Sequence, residues 1–462
     1  MTAAQASPVA EETPPTAGLD WACRLLFGSG GPPGAGGCPP DSGGVSRQRV
    51  AARRRGEPAP AGFERAEAYL ALPRAANARL LVPLGSPRAA ATALARNHDA
   101  TSKKARLARA GLGAGLKVGL TQRVGDRVDV YVDSALSPAD RPRHLLTEHL
   151  RDIFGRRDLE MAVILGVPRL NRKPVLQVLA SDGTVVGYVK AAWNDLTAGL
   201  VRNEAQVLAD LAAAKPATFT PPALVAAGPW GDLELIAASA LPNAARPDPA
   251  QILDPPMAVI AEIAGLWGRS TARLADSPYW NGVRERLTAR ARGMGGVPPT
   301  AAAEAAKDSS DVLQRAVDWI ERRHGGDDIA FGAWHGDFTP WNMARSARGR
   351  GIPGESSTTY LWDWERAAPA PAGLDLLHFL FQGVCRFEGQ TPAAAVDRCS
   401  ERLPSLLPVL DVETGSERAL WLLYRLELLF RYDEARMTGV LARQSKIHEG
   451  ILGMFVRDME DG

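Results

Sequence analysis

The chain is poor in cysteine. Its 462 residues hold four, Cys23, Cys38, Cys385 and Cys399, with no CxxC pair and no histidine at metal-ligand spacing from any of them. That argues against a zinc site and a disulfide scaffold, and it suits a reducing compartment. Long apolar runs are also missing: nothing approaches the ~20 residues that a membrane helix requires. The first residues, MTAAQASPVAEETPPTAG, carry acids and prolines where a signal peptide needs a basic start and an apolar core. No membrane insertion is therefore expected, and the expected location is the cytoplasm.

Overall charge is nearly balanced, at +2, but it is unevenly spread. Residues 1–150 hold 20 Lys and Arg against 13 Asp and Glu, and the remainder is acidic. A basic front half could serve an anionic polymer or a phospholipid; a solvated, arginine-rich surface is the simpler reading. Nucleic acid is not expected as a partner. Hydrophobic content of 45% with 23% charged residues fits a globular chain with a sizeable core. The length points to two folded units, or to one bilobal unit with an extension.

Residues 1–62 concentrate the low complexity. GSGGPPGAGGCPPDSGG and GEPAPAG have too little apolar area to offset chain entropy, so this segment is expected to be disordered. WACRLLFG (21–28) alone suggests a transient helix or a docking motif. Residues 63–137 read as a small α+β module: two short strands, an alanine-rich helix capped by Ser86, a basic helix around 103–116, and an alternating strand DRVDVYVD. From 138 to 242 the pattern is a helix, three strands (161–170, 173–181, 184–193), a helix over 196–214 and two more strands. Asp182-Gly183 between the second and third of those strands is a strong hairpin signal. From 243 to 462 helices dominate, except around 334–343 and at TTYLWDWE (358–365).

The residues that carry chemistry lie in the last two segments. Phosphoryl transfer needs a carboxylate to orient or deprotonate the attacking hydroxyl, oxygens to hold Mg²⁺, and a cation on the phosphates. His335-Gly336-Asp337-Phe338-Thr339-Pro340-Trp341-Asn342 places Asp337 and Asn342 in one loop broken by Pro340. Asp363 follows 21 residues later at the end of a predicted strand. Lys190 is the only lysine between 174 and 214 and sits inside an apolar strand; the helix after it carries Glu204, a candidate charge partner. The plainer alternatives are a snorkelling lysine, a surface glutamate, and core packing for Trp334, Trp341, Trp362 and Trp364. His335 suits a brace better than a proton carrier, because the neighbouring carboxylate already fits the base role.

His335 to Asn342 resembles the HGDxxxxN catalytic loop of the aminoglycoside phosphotransferase/choline kinase family, relatives of the protein kinases. Trp362-Asp363-Trp364-Glu365 resembles that family's metal-binding segment. The resemblance covers roughly residues 155–462. It implies an α+β, bilobal, protein-kinase-like fold with an antiparallel-sheet N-lobe and a mainly helical C-lobe. It further implies ATP and Mg²⁺ as cofactors, Asp337 as base or hydroxyl-positioning residue, Asn342 and Asp363 as metal ligands, and Lys190 on the α/β-phosphates with Glu204 paired to it. Asp375, in GLDLLHF, matches an aspartate that caps a helix and tethers the loop. The expected reaction is transfer of the γ-phosphate to a hydroxyl of a small molecule: an aminoglycoside, amino alcohol, sugar or similar metabolite.

One departure stands out. Where protein kinases carry GxGxxG, the first hairpin reads GVPRLNRKP (166–174), and no APE-like segment follows WDWE. Both favour a small-molecule kinase over a protein kinase. Arg169, Arg172 and Lys173 are candidate phosphate contacts or solvated loop charges. Glu427, Asp433 and Glu434 could draw in a cationic acceptor, and read more simply as surface charge. The alternative to an active enzyme is a nucleotide-binding pseudokinase or scaffold whose basic N-terminal module binds a partner.

Overall fold

Residues that alternate between two faces build the largest element of the protein. In the computed structural model, residues 18–28, 49–96, 115, 125–166, 172–242, 254–293, 301–345, 358–413, 415–436 and 442–460 are described. The strands in chain order are β1 (Val50–Arg54), β2 (Phe63–Leu72), β3 (Leu80–Pro83), β4 (Asp126–Asp133), β5 (Leu159–Ile164), β6 (Val175–Ala180), β7 (Val185–Ala192), β8 (Phe219–Thr220), β9 (Leu224–Trp230), β10 (Leu233–Ser239), β11 (Ser270–Arg273), β12 (Asp328–Trp334), β13 (Met343–Arg345), β14 (Thr359–Leu361) and β15 (Ala368–Pro371). The helices used below are α1 (Leu19–Phe27), α2 (Pro87–Arg96), α3 (Leu146–Phe154), α4 (Asp195–Ala214), α5 (Met257–Gly265), α6 (Pro278–Gly293), α7 (Ala301–His324), α8 (Leu374–Gly383), α9 (Pro392–Ser400), α10 (Glu417–Arg436) and α11 (Ala442–Glu460).

The chain divides into two units, one of residues 1–198 with 225–240, the other of residues 199–224 with 241–462. The first is organised by one nine-stranded sheet in the order β1-β4-β2-β3-β5-β6-β7-β10-β9. Tyr69, Ala71, Leu81, Met161 and Val163 point to one face, where α1 and α3 pack. Their neighbours Leu70, Leu80, Val82 and Ala162 point to the other, under α2. This is the period-two rule in operation, with both faces buried.

Two expectations change here. The boundary placed at 137/138 falls inside the sheet: β3 pairs with β5 through Leu80↔Ile164 and Leu81↔Val163. Within 1–62, expected to be disordered, α1 is a helix that buries Leu19, Trp21, Ala22, Cys23, Leu26 and Phe27 against the sheet. β1 likewise pairs with β4 along its whole length. Local composition misjudges these segments because their stability comes from a distant surface, not from the segments themselves. The basic helix expected around 103–116 lies outside the described residues apart from Gly115.

Several other elements follow the sequence closely. Ser86 caps α2, its Oγ accepting from Ala89 N at 3.2 Å. Asn194 caps α4 reciprocally with Thr197, Thr197 N donating to Asn194 Oδ1 at 2.9 Å and Asn194 N to Thr197 Oγ1 at 3.2 Å. The Asp182-Gly183 turn joins β6 to β7, with Gly183 at φ 89°. The second unit is mainly helical, with two small three-stranded sheets, β11-β12-β15 and β13-β14-β8. Among the described residues no helix is long and apolar enough to cross a membrane.

Candidate active site

Both small sheets of the second unit serve the HGD loop. β12 ends at Trp334, which pairs with Ala368 of β15, and His335 leaves the sheet at that point. β13 and β14 pair through Met343↔Leu361, so Asn342 and Trp362 flank the same hairpin rung. Trp362 N donates to Asn342 O at 3.1 Å. The 21-residue gap between Asn342 and Asp363 is thus closed by strand pairing. Gly336 has φ 82°, and a Cβ there would run into the Arg366 carbonyl. Only glycine fits that turn.

His335, fully buried, bridges the two motifs. Asp337 N–H lies 3.2 Å from its Nδ1, and its Nε2 lies 3.1 Å from Trp362 O. An amide can only donate and a carbonyl can only accept, so the proton sits on Nε2. The ring also stands 4.4 Å from that of Trp364. Asp375, in the first turn of α8, accepts His335 N–H at 2.7 Å and Gly336 N–H at 3.2 Å. Burial pushes its carboxyl up to about 7, against the pull of those two amides.

Asp337 is the centre of the loop. Its Oδ2 accepts from Asn342 Nδ2 at 2.8 Å, and its Oδ1 lies 3.0 Å from His378 Nε2. A third of its side chain remains open, at 33%. Burial works against its charge, but the His378 contact and the nearby positive charge of Arg431 outweigh burial and hold it below the usual carboxylate range. His378, one turn after Asp375 on α8, is itself pushed down by burial. One state satisfies both: an ionised Asp337 accepting Nε2–H of a neutral His378, whose Nδ1 accepts from Tyr424 OH at 3.0 Å. Burial holds the Tyr424 hydroxyl well above its ordinary value, so it keeps the proton it donates.

Asn342 spends its amide nitrogen on Asp337, on the carboxylate and on the main-chain oxygen at 3.0 Å. Its Oδ1 is the atom it could offer a cation. Asp363 takes a left-handed backbone, φ 73°, an uncommon conformation just beyond the end of β14. Oxygens of Asp363, Glu365 and Glu204 lie within 4.8 Å of one another. Asn203, beside Glu204 on α4, fixes this segment by donating to Glu365 O and Ala367 O, both at 3.0 Å. Hard carboxylate oxygens are the donor set that Mg²⁺ prefers. Lys190 lies in the first unit, on β7, paired across to Val175 of β6 and Ile236 of β10.

Sequence reasoning missed His378, Tyr424 and Arg431. A signal existed for the first: Asp375 and His378 are three apart in GLDLLHF and share a helix face. Arg431 lies with its guanidinium carbon 4.9 Å from the Trp334 ring centroid. Tyr424 and Arg431 are seven apart on α10, two turns along one face. Glu427, read as surface charge, is buried at 3% exposure. It accepts from Arg286 at 2.6 and 2.9 Å and from Tyr279 OH at 2.9 Å. The side chains of Asp433 and Glu434 lie outside the described residues. Of the four tryptophans, Trp364 and Trp334 are buried. Trp341 and Trp362 are half-buried, and the Trp341 ring lies 6.1 Å from exposed Phe387.

No protein-family model and no curated protein matches the chain. Solved structures similar to it include the GDP and kanamycin complex of APH(2")-IIia, at 13% identity and a TM-score of 0.41, over 69% of this chain and 99% of that one. A microcompartment-associated aminopropanol kinase matches at 15% identity and 0.38, over 68% and 97%. An aminoglycoside phosphotransferase from Alicyclobacillus acidocaldarius matches at 15% and 0.29, over 62% and 91%. By name, the second of these similar structures is an aminopropanol kinase and the third an aminoglycoside phosphotransferase.

Proposed function

We propose that the chain is an ATP- and Mg²⁺-dependent phosphotransferase that moves the γ-phosphate to a hydroxyl of a small molecule. The observation that carries this reading is the Asp337 carboxylate: ionised, partly open, and oriented on both oxygens by Asn342 and His378. In the transfer, the acceptor oxygen bonds to the γ-phosphorus as the bond from that phosphorus to the β–γ bridging oxygen breaks. ADP leaves, and the hydroxyl proton passes to Asp337. A carboxylate held this acidic is a weak base. Its main work is therefore to orient the hydroxyl, taking the proton late, as a loose transition state permits.

Asn342 and Asp363 are the residues that would hold Mg²⁺, with the Glu365 carboxylate close to that of Asp363; the ion would supply charge neutralisation on the phosphates. Lys190 is the proposed phosphate ligand, and a pairing with Glu204 is proposed with it. The proposed acceptors are an aminoglycoside, amino alcohol, sugar or similar metabolite, and the proposed location is the cytoplasm. The three described cysteines, Cys23, Cys385 and Cys399, are free and buried.

The test is ADP release by purified protein with ATP, Mg²⁺ and a panel of hydroxyl acceptors. Asp337→Ala should lower turnover at least ~100-fold while leaving the fold intact. Turnover unchanged in that variant would sink the assignment. Nucleotide binding without turnover on any acceptor would support the pseudokinase reading instead.

A further inference from the structure

The first unit contains an arrangement that the phosphotransfer chemistry does not itself require. Trp21, on α1, lies 5% exposed under the Arg172 guanidinium, whose central carbon is 4.1 Å from the ring centroid. The same indole meets Trp193 edge-on, with centroids 6.1 Å apart and planes at 82°. Trp193 Nε1 in turn donates to Arg172 O at 2.7 Å, and Arg172 Nε donates to Leu165 O at 2.5 Å. Arg172 is itself 2% exposed. It is therefore spent on the protein interior and is not presented to a phosphate, whichever way the hairpin charges are read from sequence.

The positions of these residues give the cluster its meaning. Leu165 directly follows β5, Arg172 precedes β6, and Trp193 directly follows β7. Val175 and Lys190 face each other across β6 and β7, and Ala191 N donates to Pro174 O at 3.0 Å. The cluster thus binds together the ends of three adjacent strands, at the end of the sheet where Lys190 stands. The helix that completes it comes from some 150 residues upstream and is anchored independently, by Leu26 and Phe27 in the core and by an Asp20–Arg54 pair at 2.6 Å. Protein kinases place a glycine loop at this hairpin, and this chain has none.

We infer that Trp21 is a positioning residue for nucleotide binding: through Arg172 and Trp193, α1 fixes the ends of β5, β6 and β7 and thereby the placement of Lys190. This inference rests on the proposed phosphotransferase reading. A guanidinium–indole contact is strongest where both groups are desolvated, as Arg172 and Trp21 are, so its loss should be read as a fold-change in the binding constant. A helix serving only the core would instead change stability without changing affinity.

The test is calorimetric titration of the full chain with Mg²⁺ and a non-hydrolysable ATP analogue, alongside thermal unfolding. Trp21→Ala and Arg172→Met should each weaken binding about tenfold or more, and the double variant should be little worse than either alone. Trp21→Phe, which keeps an aromatic face, should recover most of the affinity. Leu26→Ala, buried in the same helix but outside the cluster, should lower the melting temperature and leave affinity within about twofold. In turnover assays the defect should fall on KM for ATP more than on kcat. If Trp21→Ala does not fold, Trp21→Phe and Arg172→Met still decide the matter. Equal weakening in Leu26→Ala, or unchanged affinity in Arg172→Met, overturns the inference. No binding by the wild-type chain would refute the phosphotransferase reading itself.

Discussion

Removing the His378 imidazole is the sharpest probe of the site. The residue is 2% exposed and touches Asp337 on one side and Tyr424 on the other, both at 3.0 Å. His378→Ala deletes a hydrogen bond to a charged group, worth roughly 1.5–3 kcal/mol, and leaves the Tyr424 hydroxyl without its acceptor, at roughly 1–3 kcal/mol more. Allowing for relaxation into the vacated space, the stability loss should be about 3 kcal/mol by chemical denaturation. Asp337 should remain ionised at neutral pH, since Asn342 still donates to it, but its titration should move up towards the ordinary carboxylate range. In the wild type the depressed value means that Asp337 contributes stability above pH ~4, lost only as pH falls below that. In the variant this contribution shrinks, and the acid limb of the pH–turnover profile should shift upwards. His378→Gln can return a donor to the Nε2 position and should restore much of the turnover; Tyr424→Phe should cost only about 1 kcal/mol. An unchanged acid limb in His378→Ala, with turnover intact, would refute the claim that His378 orients Asp337.

Other consequences follow from the same loop. Gly336→Ala would place a methyl group against the Arg366 carbonyl at φ 82°, so a loss of at least ~2 kcal/mol in denaturation and of most turnover is expected. Asp375, pushed up to about 7, keeps its proton in the folded chain at pH values where the unfolded chain has released it. Stability on its account is therefore greatest below pH ~4 and declines as pH rises through about 7; Asp375→Asn should flatten that slope when unfolding is measured from pH 4 to 8. Mg²⁺ should raise the melting temperature of the wild type in a concentration-dependent way, and Asp363→Asn should abolish the shift; EDTA should reverse it.

Legibility from sequence tracked how locally each feature was determined. The Asp182-Gly183 turn, the α4 helix and strand β4 were readable because their signals lie within a dozen residues. Asp337, Asn342 and Asp363 could be singled out because a loop motif and a strand end have recognisable residue types. What joins them could not be read: the β13–β14 rung that brings Asn342 to Trp362 is a pairing, and a period of two tells which face a residue takes but not which strand lies beside it. The same limit hid the β3–β5 pairing and so suggested a separate module. α1 was legible only as a transient helix or docking motif, because nine residues between low-complexity runs make a marginal helix alone, and its partners Trp193 and Arg172 are far along the chain. Tyr424 and Arg431 escaped because in sequence they are two more residues of a long helix, and only the tertiary fold turns their face towards Asp337.

The β13–β14 rung also bears on how freely this site can diversify. Since Asn342 and Asp363 are aligned by the base of a hairpin, the number of residues between Arg345 and Thr358 is not a catalytic parameter. Insertions, deletions or new termini between those two positions should leave the aspartate–asparagine–aspartate alignment in place. The spacing of 21 is then an accident of this chain, and a search for related sites should fix the β13–β14 pairing and let the distance float.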